Sequence, residues 1–113
     1  MATYNIYNPA RFKWLLVQQN CNYCPIALDA LIDVRARFPI KSERDVRIIN
    51  SNLNRGEYVK AIETLRASHL LDGSPMPIDL ITTFPLLVYD GTIKSGITNR
   101  LAYEKCLAQL MVA

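Results

Sequence analysis

Apolar positions along this chain fall either in short continuous runs or in stripes spaced by three and four, and each change of period marks an element. FKWLLVQ, Phe12 to Gln18, is short, apolar and β-rich and runs into a polar turn, QNCN, as a buried strand does when it ends at a site. Cys24, Ala27, Leu28, Leu31, Val34 and Phe38 then recur at helical spacing until Pro39 stops them. VRIIN, Val46 to Asn50, predicts a second strand. After the turn chemistry of SNLNRGE, Tyr58, Ile62, Leu65 and His69 share one face of a second helix, closed by Gly73 and Pro75. Leu71 to Thr83 is a connector. FPLLVYDGTIKSGI carries two short strands around Asp90-Gly91, a hairpin signal. From Asn99 to Met111 a last helix places Tyr103, Cys106, Leu107, Leu110 and Met111 on one stripe, with Thr98 or Asn99 as its N-cap.

The predicted order is β-α-β-α-β-β-α, an α/β fold in one domain, with residues 1–11 as an N-terminal extension. A right-handed crossover makes the first two strands parallel and starts the first helix beside their carboxyl ends. Following the chain from there brings Cys21 with Cys24, the Phe84-Pro85 step and the Gly96 to Asn99 helix start to that same end. His69 falls at the opposite end.

Composition narrows the setting. The chain has 113 residues, 50% of them apolar and 20% charged, with a net charge of +3 and no basic stripe, which gives nucleic acid no footing. Its N-terminal apolar run, Trp14 to Val17, is too short for a signal peptide or a membrane span. The expected compartment is therefore cytoplasmic and reducing, where a cysteine pair is catalytic or metal-binding more often than a permanent staple.

The pair is Cys21 and Cys24, in NCNYCPIALDALIDVRARF. Thiol-disulfide exchange needs a thiolate to attack and a second thiol to resolve the mixed disulfide. An ordinary cysteine, pKa about 8.5, is only roughly 3% thiolate at neutral pH, and the unpaired N–H groups of a helix N-terminus raise that fraction. Cys21, nearest the turn, is then the attacker, Cys24 on the apolar face the resolver, and Pro25 sits in the first turn, where a missing N–H costs least. Two other readings stand beside this one. Zinc would need Cys106 and His69 to complete the set, and the order of elements places neither beside the pair. Two inert core thiols are the third reading, and Cys106 itself reads as a packing residue.

The C-x-x-C, the later Pro85, the hairpin and Gly96, in that order from about Phe12 onward, resemble the thioredoxin superfamily. Tyr23, within C-N-Y-C, and the stretch SGITN are similar to glutaredoxins in particular. Asn22 stands in place of the motif proline, Ser95 of the first glycine, Asn99 of the acid and Gln18 of a frequent lysine. The resemblance implies a central mixed four-stranded sheet with helices on both faces. It implies disulfide oxidoreductase activity with Cys21 and Cys24 as catalytic residues and a cis Pro85. Substrate contacts would come from Tyr23, Thr83, Phe84, Pro85, Gly96, Thr98 and Asn99, with Arg55 or Arg100 adding charge for a carboxylate. No metal or bound cofactor is implied. Glutathione is the candidate external thiol, and the partner is a disulfide-containing protein or a glutathione mixed disulfide, with neither nucleic acid nor membrane involved. A non-catalytic module using the same end of the fold as a docking surface is the competing function.

Overall fold

The computed structural model describes residues 2–6, 11–96 and 99–112. Its elements are β1 (Ala2–Asn5), β2 (Lys13–Val17), α1 (Cys24–Arg37), β3 (Arg47–Asn50), α2 (Arg55–Ala67), the single turn α3 (Ile78–Ile81), β4 (Leu86–Tyr89), β5 (Thr92–Ser95) and α4 (Arg100–Met111). A mixed sheet of order β1-β5-β4-β2-β3 forms the centre. β2 and β3 are parallel, as the crossover requires, and β4, β5 and β1 each run antiparallel to the strand they join.

The continuous apolar runs are buried on both sides, which is why they do not alternate with polar residues. Leu15 and Val17 of β2, with Leu87 and Tyr89 of β4, face α1 and α4 in one core cluster. Leu16, Leu86, Val88, Ile49 and Ile93 face the other way, toward Ala61 and Leu65 of α2 and Leu80 and Ile81 of α3. The two-residue period of the strands thus feeds two helical layers.

Three expectations need correction. The sheet has five strands rather than four, because residues assigned to an N-terminal extension form β1 and pair with β5 from Ala2↔Ser95 to Asn5↔Thr92. ATYN alternates apolar Ala2 and Tyr4 with polar Thr3 and Asn5 over only four residues, and the strand forms because the edge of β5 offers backbone partners; Ile6 just beyond it is buried in the cluster that holds Leu65 and Ile93. α2 ends at Ala67, so His69 is not on it but bridges to Pro75 in the connector. Phe38 is exposed, since the residue before Pro39 is driven to extended backbone, φ −129° and ψ 143°, and turns its ring off the helix stripe.

Register fixes one end of the sheet as the place where a site is assembled. Val17, closing β2, lies beside Asn50, closing β3, while Leu16 lies beside Leu86, which opens β4. The loops after β2 and β3 and the turn before β4 therefore meet there. Ile6, the last residue before the opposite end, bridges to Leu70, so His69 lies away from the cysteines.

Candidate functional site

β2 runs out at Val17, and the chain turns through Gln19 and Asn20, whose φ of 64° is a left-handed conformation that asparagine tolerates better than most residues. The turn delivers Cys21, partly exposed, just ahead of α1. Helix α1 opens at Cys24, with Pro25 in its first turn and no side-chain cap from Tyr23. Cys24 is 3% exposed and belongs to the core cluster of α1, α4 and the sheet. One loop thus presents two thiols at two depths.

The Phe84-Pro85 peptide is cis and leads into β4. The Cys21 Sγ–H donates to the Phe84 carbonyl oxygen at 3.5 Å, so the backbone just before Pro85 lies against the outer sulfur. Burial, first of all, pushes the Cys24 thiol up from 9.0 to about 12. A hydrogen bond with the Cys21 side chain adds to that rise, while a bond from the Gln18 backbone works against it. Burial thus holds the inner thiol protonated beside the outer one.

Other predicted site residues are placed less uniformly. Tyr23 is 48% exposed next to the pair. Thr83 is exposed, and its hydroxyl donates to the Asp79 carbonyl at 2.7 Å, which turns the side chain toward α3 and leaves its backbone as what it can offer. Gly96, with φ of 73°, leaves β5 at the same end of the sheet but two strands away from β2, about 10 Å across. Thr98 lies outside the described residues.

Asn99 and Arg100 are not brought to the cysteines. Asn99 Oδ1 accepts from the Ala102 N–H at 3.0 Å and so caps its own helix. Arg100 pairs with Asp33 and Glu104. Asp33 is nine residues beyond Cys24 on α1, about 13 Å along the helix axis, so the start of α4 packs well below the sulfurs. Arg55, which opens α2 at the cysteine end, is exposed and has no ion-pair partner among the described residues.

Cys106 stays within α4, its thiol pushed up chiefly by burial. Among the described residues no three His, Cys, Asp or Glu side chains gather where one metal ion could be held. Nor does any helix among them have the length and apolarity to cross a membrane. A cavity of about 270 Å³ on the α2 side, lined by Phe12, Trp14, Ile49, Glu57, Lys60, Ala61 and Thr64, includes none of the residues around the sulfurs.

One residue beside the site, Tyr58, is not among those the sequence points to. Tyr58 was assigned to the buried face of α2, yet its hydroxyl accepts from Gln18 Nε2 at 2.9 Å and its ring lies 6.0 Å from that of Phe84. Helical spacing says which face of α2 turns inward, and nothing in it says which loop that face meets.

Comparison with known proteins finds no matching family model, no similar curated protein and no similar solved structure. The geometry of the site therefore carries the functional argument.

Proposed function

We propose that this protein is a dithiol-disulfide oxidoreductase with a thioredoxin-like, glutaredoxin-related fold, extended by β1 at one sheet edge. The observation that carries the reading is the pairing of a partly exposed Cys21, 3.5 Å from the Phe84 carbonyl, with a buried, protonated Cys24 in contact with it. Inert core thiols have no need of this asymmetry. The run from β2 to α4, with a C-x-x-C ahead of α1 and a cis-proline opening β4, follows the superfamily's order.

The Cys21 thiolate attacks one sulfur of the substrate disulfide, forms a mixed disulfide and releases the other sulfur as a thiolate that takes up a proton. Cys24 then gives up its proton and attacks the Cys21 sulfur, so that a Cys21–Cys24 disulfide forms and the second substrate thiolate leaves. Two electrons pass from the protein dithiol to the substrate. An external thiol, glutathione or another, returns the protein to its dithiol form. With Cys24 held protonated by burial, Cys21 is the one of the pair that attacks the substrate first. The substrate backbone lies along Thr83 and Phe84, where extended main chain meets extended main chain and side-chain identity matters little.

Single-cysteine variants test the proposal. Cys21→Ser should lose all exchange, and Cys24→Ser should accumulate a mixed disulfide on Cys21 visible by mass spectrometry of the intact protein. Loss of activity in both without a trapped adduct would remove the assigned roles and leave a docking module ahead.

A further inference from the structure

We infer that Tyr58 is a positioning residue for disulfide exchange, holding the Phe84 backbone at a set distance from Cys21 and tying it to the loop that carries both thiols. This rests on the oxidoreductase reading and adds to it a residue outside the C-x-x-C loop and the proline turn.

The contacts around the sulfurs close into a ring. Cys21 donates to the Phe84 carbonyl at 3.5 Å. The Phe84 ring meets the Tyr58 ring at 6.0 Å, tilted by 34°, within the range of favourable aromatic pairs. Tyr58 accepts from the Gln18 side chain at 2.9 Å, and Gln18 follows Val17, the last residue of β2, directly into the loop that carries Cys21 and Cys24. Two of the links run through Tyr58, and the others lie within the site itself. Tyr58 alone comes from outside, from the first turn of α2 after Arg55, where the Asn54 carbonyl accepts its backbone N–H at 2.8 Å. The helix is anchored in its turn by Ala61 and Leu65 in the core beneath the sheet.

The physical need for such a brace follows from the chemistry. The turn before β4 contacts substrate through its backbone; the Thr83 hydroxyl ties one side of it to the Asp79 carbonyl of α3, and on the other side the Phe84 ring packs against Tyr58. In-line attack depends on where the substrate backbone sits relative to the sulfur, and a displacement of about 1 Å costs up to about a hundredfold in rate. The Tyr58 ring fixes one side of that distance through Phe84. Its hydroxyl fixes the other through Gln18.

Two reactions of Cys21 separate positioning from general structural support. Reduction of insulin disulfides needs the substrate backbone seated on Thr83 and Phe84, whereas alkylation by iodoacetamide needs only the sulfur. Tyr58→Leu removes ring and hydroxyl and is expected to lower kcat/KM for insulin about tenfold while alkylation of Cys21 stays within about twofold of the parent. Tyr58→Phe keeps the ring and loses the Gln18 bond, for a fall of about threefold. Gln18→Leu should match it, and the double variant should be no worse than either, because both changes delete one bond. Thermal unfolding checks that each variant is folded, and if Tyr58→Leu is not, the Tyr58→Phe and Gln18→Leu pair decides. Unchanged insulin reduction in the folded variants, or an equal fall in both reactions, overturns the assignment. A parent protein without any disulfide exchange would remove the oxidoreductase reading and this inference with it; an active parent indifferent to Tyr58 would remove this inference alone.

Discussion

Cys21 and Cys24 are one chemical group in two surroundings, and the difference between them is set by depth. Oxidation should join these two and leave Cys106 free, as peptide mapping under non-reducing conditions would show; a disulfide to Cys106 would contradict the packing of α4. Cys24 also gives the reduced protein a pH dependence. Its folded value of about 12 lies above the ordinary 9.0, so between those limits the unfolded chain releases the proton while the folded chain keeps it. Folding then takes up a proton, and stability falls as pH rises through that window, having been fully present below it. The thermal midpoint of the reduced protein should drop progressively above about pH 9, with a shallower slope in Cys24→Ala. An equal slope in that variant would assign the titration elsewhere. Cys106 and the buried Tyr103, both raised by burial, are the groups that would then carry it.

The start of α4 separates a structural role from a substrate role. Asn99 accepts from the Ala102 N–H, and loss of such a cap costs about 1 kcal/mol. Asn99→Ala should therefore lower stability by about that amount and leave the rate of disulfide exchange unchanged. A tenfold loss of exchange at unchanged stability would return Asn99 to the substrate site. The edge strand offers a second case. Ile6 is 4% exposed among Leu65, Ile93 and Leu70, at the sheet end opposite the cysteines. Truncating it to alanine should cost about 2–5 kcal/mol in chemical denaturation, with exchange by the folded protein intact.

Under the proposed exchange activity, the groups around Cys21 lead us to expect a protein disulfide to be the better substrate than a glutathione mixed disulfide. Glutathione carries two carboxylates, and the groups expected to meet them are committed: Arg100 to Asp33 and Glu104, Asn99 to its own helix, Gln18 to Tyr58. Arg55 is the remaining cation on α2's opening turn. Around the outer thiol the surface instead offers the Thr83–Phe84 backbone and the half-exposed Tyr23. Insulin should be reduced with a higher kcat/KM than a glutathione mixed disulfide, and Arg55→Gln should weaken only the latter. The reverse order would place the carboxylate contacts outside the residues named here.

The period of apolar residues was enough to read β2, α1, β3, α2, the β4–β5 hairpin and α4 from the chain, because a strand buried on both faces and a helix buried on one leave different local signatures. The C-x-x-C ahead of α1 and Pro85 ahead of β4 were legible for the same reason: each is a short motif at the boundary of an element. β1 was not, because its alternation of Ala2 and Tyr4 with Thr3 and Asn5 is only four residues long and the edge strand is held by backbone hydrogen bonds. The depth of Cys24, the commitment of Asn99 and Arg100 to α4 and α1, and the brace from Tyr58 to Phe84 were equally out of reach. Each depends on how far one helix slides along another or which loop a helix face meets. Those quantities are settled only when the two layers close on the sheet, since periodicity names the face of an element and leaves its partner open.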